Sequence, residues 1–219
     1  MFRVVILSGT SKLTENEFDS LLPYVSTKKQ ERINNFYLKQ DAYNCLLGDL
    51  LVRTEICRIT GLKNKQLKFS IDAYGKPFFA NNLSLHFNIS HSGDYVACAL
   101  SDQPVGIDIE VIKSAVDSRV AKRFFTSEET VYILSGDQII RFFEVWTKKE
   151  SRIKWEGKGL HTLLSSFDVF DNKELEQITY HRVLKNDDAI GHTCSALTEL
   201  PTTTVMDTMK FISNINHLL

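Results

Sequence analysis

No apolar stretch in the 219 residues approaches the ~20 residues needed to cross a bilayer, so a helical membrane span is not expected. The opening run, MFRVVILSGTSK, is too short for a secretory signal, and Lys12 and Glu15 follow it closely. Basic residues are not in excess: 26 Lys and Arg face 27 Asp and Glu, for a net charge of −1. General nucleic-acid binding usually needs a clear basic surplus, so it is disfavoured, while a local phosphate pocket stays possible. Cysteine is scarce. Cys45, Cys57, Cys98 and Cys194 lie far apart with no CxxC spacing, which fits neither a zinc site nor a disulfide framework. Reduced thiols and a cytoplasmic location are the expectation. Proline occurs four times, and there is no Pro/Gly-rich linker or low-complexity tract.

What is present is ordinary globular material. Hydrophobic residues make up 43% and charged residues 24%, enough for one large domain or two small ones. Residues 2–8 alternate like a strand, and Phe18, Leu21 and Leu22 mark a helix within 14–24. From 27 to 60, apolar residues recur at threes and fours up to Gly61, predicting a helical region that stops there. Strands are predicted at 66–71, 83–89, 94–101 and 104–111, then helices near 115–124, 127–134 and 137–155, then strands at 166–171, 177–184 and 192–198. Helices followed by strands thus occur twice. Gly61-Leu62 matches Gly159-Leu160, and Ala99–Pro104 matches Ala196–Pro201 at nearly the same spacing. The pattern predicts an α+β fold of two similar halves, 1–105 and 106–219, with a ligand site between them.

Four segments could carry chemistry. In Gly106-Ile-Asp-Ile-Glu110, strand alternation turns Ile107 and Ile109 inward and projects Asp108 and Glu110 together. Paired carboxylates repel, and a divalent cation relieves that; magnesium commonly takes one or two carboxylates plus substrate phosphates. On spacing alone a solvated strand face is the simpler reading. In Trp146–Lys154, Glu150 and Lys154 share a helix face, as an ordinary ion pair or as a metal ligand beside a phosphate-binding lysine. Phe87-Asn-Ile-Ser-His-Ser-Gly93 reads as a strand entering a polar turn that could point groups at an anion or could simply be exposed. Lys28, Lys29 and Arg32 open the long helical region, and Lys76 sits in the Tyr74-Gly75-Lys76-Pro77 turn. These are a phosphate clamp or merely a charged surface.

Taken together, Phe87–Ser92, Gly106–Glu110 and Trp146–Ser151 with Lys154, in that order and at these distances, resemble the Sfp-type 4′-phosphopantetheinyl transferases. The Tyr74–Pro77 turn and Arg123-Phe-Phe125 add to the likeness, which spans about residues 26 to 200. The resemblance implies a pseudo-dimer of two α+β halves. It implies coenzyme A as donor, a serine of an acyl or peptidyl carrier protein as acceptor, and 3′,5′-ADP as the second product. Asp108, Glu110 and Glu150 would hold magnesium, with manganese the alternative. Lys154 would meet the diphosphate, Ser90 and His91 the nucleotide phosphates, and Lys29 and Arg32 the 3′-phosphate. Tyr74, Gly75, Lys76 and Pro77 would line the adenine. Glu150 is the candidate base for the serine proton, directly or through a water, with Asp108 and Lys154 as the other catalytic candidates. Asn44 and Cys45 depart from the hydroxyl or basic residues that members often carry there. A basic and apolar segment, Lys113–Phe125, suits an acidic carrier or an amphipathic core helix. Carriers of non-ribosomal peptide or polyketide synthesis are the expected partners, and a monomer the expected state. A metal-dependent phosphoesterase and a non-catalytic coenzyme A-binding regulator are the rival readings.

Overall fold

The computed structural model describes residues 1–81, 83–116, 120, 123–159, 162–171 and 177–215. Strand β1 (Phe2–Ser8) is followed by helices α1 (Glu15–Leu21), α2 (Thr27–Asn34) and α3 (Lys39–Thr60). A small hairpin, β2 (Phe69–Ile71) and β3 (Pro77–Phe79), leads to β4 (His86–Ser92), β5 (Tyr95–Ser101) and β6 (Val105–Val111). Then come α4 (Ser127–Leu134), α5 (Gln138–Glu156), β7 (Thr179–Lys185), β8 (Ala189–Ser195), β9 (Thr202–Asp207) and α6 (Thr208–Ile215).

The strands form two main sheets whose orders repeat one another. The first runs β4-β5-β1-β9 and the second β6-β8-β7, so β4-β5-β1 corresponds to β7-β8-β6. In each half the first strand pairs antiparallel with the last of the set: Phe2 opposes Ser101, and Val105 opposes Ser195. Both serines close the following turn in the same way. The Ser101 hydroxyl accepts from the Gln103 N–H at 3.1 Å and that of Ser195 from the Leu197 N–H at 3.2 Å. The repeat is therefore real, but its register is not the one the sequence suggests. Gly61 and Gly157, not Gly159, are the matching ends of α3 and α5: both take left-handed backbone, φ 72° and 74°, just past the last turn. That conformation suits glycine at a helix C-terminus. Likewise Ser101 matches Ser195 rather than Thr198. Strand β9 returns to the first sheet and pairs parallel with β1, Arg3 opposite Thr202.

Other sequence expectations also shift. The long helical region breaks at Asn35–Leu38, where Phe36 packs on the core and Tyr37 stands 98% exposed. The strand expected at 166–171 is absent; Leu164–Ser166 form a 3-10 turn instead. Strand β3, strand β9 and helix α6 were not anticipated. Of the helix expected near 115–124, residues 117–119, 121 and 122, including Arg119 and Lys122, lie outside the described residues.

Strand alternation builds three apolar layers. Val5 and Leu7 of β1 face α3, joining Leu46, Leu47, Leu50 and Leu51 in one core. Val4 and Ile6 face the other way and meet Ala97, Ala99, Val105, Ile107 and Ile109 between the sheets. Helix α5 covers the far face of the second sheet, and Gly106 makes that contact possible. A Cβ there would lie 1.9 Å from the Ser151 carbonyl oxygen and 2.5 Å from the Trp155 nitrogen. The glycine thus lets the helix backbone lie directly on β6.

Gly106→Ala should therefore destabilise the fold by about 3 kcal/mol or more, since rigid backbone cannot yield as a side chain can. Gly61→Ala, with open space around its Cβ, should cost only about 1–2 kcal/mol of left-handed strain. Chemical denaturation of the two variants checks the ordering.

Candidate active site

The site lies where the two sheets meet. Both neighbouring edge strands, β4 and β6, bring alternating polar residues to the junction, and they join through side chains rather than a backbone ladder. Asn88, Ser90 and Ser92, spaced by two along β4, accept from the N–H groups of Ile107 (2.9 Å), Ile109 (3.3 Å) and Val111 (3.1 Å). Period-two spacing on both strands is what lets three rungs form in register.

The alternation of β6 sends Ile107 and Ile109 into the inter-sheet core and Asp108 and Glu110 to the opposite side. Asp108 is 4% exposed. Its Oδ1 accepts from Lys154 Nζ at 2.7 Å and from the Ser90 hydroxyl at 2.9 Å, while Lys154 also donates to Ser90 Oγ at 2.9 Å. Asp108 Oδ2 is buried with no hydrogen-bond partner among the described residues. The Ser92 hydroxyl donates to Glu110 Oε2 at 2.7 Å.

Helix α5 supplies Glu150 and Lys154, one turn apart on a single face. Burial raises the pKa of the Glu150 carboxyl, and the charges of Asp108 and Glu110 raise it further against the pull of Lys154. Burial likewise raises that of Glu110, with Asp108 adding to it and the Ser92 hydrogen bond opposing. The three acids thus feel one another's charge. Among the described residues, however, no three His, Cys, Asp or Glu side chains form a ready-made metal cage. Asp108 and Glu110 each have one oxygen committed to protein partners.

His91, next along β4, is exposed. Dense protein around it and the Lys154 charge lower its imidazole pKa. Ser90, His91 and Ser92 lie on the strand itself, and the turn is only Gly93-Asp94. Gly93 has φ 52°, and a Cβ there would strike Val111 Cγ2 at 2.7 Å. Asn44 holds this turn, donating to the Gly93 carbonyl at 3.0 Å and accepting from Gln40 at 3.0 Å. A buried amide at position 44 therefore braces the His91 hairpin; the reach is from α3 to a distant turn, which no local pattern announces.

The remaining sequence candidates lie further out. Lys29 pairs with Asp49 at 3.4 Å, and Asp49 also holds Arg53 at 2.5 Å. Arg32 is exposed, with no ion-pair partner among the described residues. The Tyr74–Pro77 turn is shaped by Asp72, whose Oδ1 accepts from the N–H groups of Tyr74 (2.9 Å) and Lys76 (2.8 Å), and by Gly75 at φ 88°. Tyr74 is 59% exposed, and Pro77 begins β3. Lys76 is turned to the C-terminal end of α5, donating to the carbonyls of Lys154 and Trp155. A cation there complements the helix dipole and ties the hairpin to the helix that carries Glu150.

Behind Glu150, Lys149 points to the other side of α5 and is fully buried. Its Nζ meets Glu129 Oε2 at 2.8 Å and the carbonyls of Leu164 (2.7 Å) and Phe167 (2.6 Å). Glu129 in turn accepts from the N–H groups of Thr126 and Val169, both at 2.9 Å. A fully buried, fully paired ion pair thus anchors helix α5 from the rear. Sequence reading passed over Lys149 because adjacent lysines look like surface charge.

With this geometry in view, the comparisons with known proteins are consistent. The family described as "4′-phosphopantetheinyl transferase, N-terminal" matches residues 12–103, and the "4′-phosphopantetheinyl transferase superfamily" matches residues 104–205. The chain belongs to the 4′-phosphopantetheinyl transferase superfamily. It is 44% identical over 160 residues to the 4′-phosphopantetheinyl transferase Sfp of Bacillus subtilis (strain 168), covering 72% of this chain and 71% of that one. It is 35% identical over 205 residues to the 4′-phosphopantetheinyl transferase gsp of Aneurinibacillus migulanus, covering 89% and 85%. With the 4′-phosphopantetheinyl transferase HetI of Nostoc sp. it shares 30% over 157 residues, covering 68% and 66%.

Lys149→Met should destabilise the protein by about 3–5 kcal/mol, because Glu129 would stay buried without its partner. Adding Glu129→Gln, which removes the unpaired charge but keeps an amide oxygen to accept an N–H, should recover part of that loss. Thermal or urea melts of the single and double variants decide it.

Proposed function

We propose that this chain moves the 4′-phosphopantetheine arm of coenzyme A onto a serine of an acyl or peptidyl carrier protein. The observation that carries the reading is the convergence of Asp108, Glu110, Glu150 and Lys154 where β6, β4 and α5 meet, in a chain of this superfamily. A phosphoesterase or a binding-only regulator gains no support from that membership.

The donor set fits a divalent cation. Asp108 Oδ2 is a buried carboxylate oxygen without a hydrogen-bond partner among the described residues, and the charge of Asp108 bears on both Glu110 and Glu150. Magnesium, with manganese the alternative, would be held by Asp108, Glu110 and Glu150 and would neutralise charge on the diphosphate. An acid set that does not close on its own suits an ion that keeps waters and phosphate oxygens among its ligands.

The chain's own groups do the rest. Lys154 is poised at Asp108 and would bind the diphosphate beside it. Lys29 and Arg32 would receive the 3′-phosphate, His91 the nucleotide phosphates, and the Tyr74–Pro77 turn the adenine. Ser90 is so fully used within the junction that it would act mainly through Asp108 and Lys154. The carrier serine Oγ forms a bond to the phosphorus of the arm, and the phosphorus–oxygen bond to the nucleotide breaks, releasing 3′,5′-ADP. Glu150, with no hydrogen bond to protein among the described residues, would take the serine proton directly or through a water.

Each half supplies one side of this junction, so we propose a monomer that needs no second copy to complete it. Four free cysteines suit a reducing compartment such as the cytoplasm. Carriers of non-ribosomal peptide or polyketide synthesis are the proposed acceptors.

Incubated with coenzyme A, magnesium and an apo carrier, the chain should add the mass of one phosphopantetheine arm to the carrier. Glu150→Gln and Asp108→Asn should each slow this at least ~100-fold with the fold retained by circular dichroism. Intact-mass spectrometry reads both; normal turnover in either variant contradicts its assigned role.

A further inference from the structure

The hydroxyls of β4 have their hydrogen bonds dictated by the backbone opposite. A serine hydroxyl has a single proton. Ser92 Oγ accepts from the Val111 N–H at 3.1 Å, and its proton goes to Glu110 Oε2 at 2.7 Å. Ser90 Oγ accepts from the Ile109 N–H at 3.3 Å and from Lys154 Nζ at 2.9 Å, and its proton goes to Asp108 Oδ1 at 2.9 Å. In both residues one carboxylate oxygen is tied down and the other is left without a hydrogen bond among the described residues. Glu110, unlike Asp108, is only partly buried, and its side chain has one more rotatable bond. Ser92 is its one hydrogen-bond partner among the described residues.

We propose that Ser92 is a positioning residue for Glu110. Fixed to the backbone of Val111, it clamps Oε2 and would leave Oε1 free for a divalent cation, as Ser90 would leave Oδ2 of Asp108. The inference rests on the metal reading given under Proposed function. Asn88 provides an internal control. It occupies the third rung, accepting from the Ile107 N–H at 2.9 Å, but the residue before Ile107 is Gly106, where the other two rungs have Asp108 and Glu110. Loss of Asn88 removes a structural rung only; loss of Ser92 removes a rung and the clamp.

The test titrates Mn2+ alone into the full chain by calorimetry and records the melting temperature and the metal dependence of carrier modification. Ser92→Ala should weaken Mn2+ binding about 10-fold or more, as removal of a ligand's hydrogen-bond partner generally does. Ser92→Thr, which keeps the hydroxyl, should restore it. Asn88→Ala should lower the melting temperature yet leave Mn2+ affinity unchanged. Wild-type affinity in Ser92→Ala, or equal weakening in Ser92→Ala and Asn88→Ala, overturns the assignment, provided Asp108→Asn does weaken binding. If Asp108→Asn also binds Mn2+ like the wild type, the metal reading itself falls, and the Ser92 assignment with it.

Discussion

The junction of β4 with β6 is the constraint on which the rest depends. Two edge strands carry unpaired backbone donors that must be satisfied once buried. Here the donors of Ile107, Ile109 and Val111 are met by Asn88, Ser90 and Ser92 rather than by carbonyls. This leaves hydroxyl protons over, and these go to Asp108 and Glu110. The interactions that join the two halves are therefore the same ones that orient the acids.

Helix α5 completes the arrangement from the other side. Gly106 lets its backbone rest on β6, which carries Glu150 and Lys154 to the acids. Lys76 secures its C-terminal end from the first half, and the Lys149–Glu129 pair secures its rear face within the second. Buried ion pairs contribute little net stability compared with apolar packing. This one is positional: Lys149 also gathers the carbonyls of Leu164 and Phe167 against the helix.

Features set by local periodicity were legible in the sequence. The extents of β1, β6, α4 and α5 follow apolar spacing closely, and alternation in β6 correctly separates Ile107 and Ile109 from Asp108 and Glu110. The doubled architecture was legible too, though not its register, because Gly157 and Ser195 align through backbone geometry and not through neighbouring identities. What stayed hidden depends on contacts across the chain. Nothing near Asn44 reveals that it holds Gly93, and nothing near Lys149 reveals Glu129. The helix break at Asn35–Leu38 has no proline or glycine to mark it. Within it Phe36 is partly buried against the core, a tertiary contact that local periodicity does not show. Strand β9, rich in threonine and with no buried residue, offers little alternation to read.

On the proposed reading Asp108, Glu110 and Glu150 share one cation that grips the coenzyme A diphosphate. Crystals grown with coenzyme A and Mn2+ test it directly through the anomalous signal of manganese. A single strong peak is expected within ligand distance of all three carboxylates and of the diphosphate, with Lys154 beside it. A peak elsewhere, or a diphosphate bound with Glu150 turned away from the ion, would contradict it.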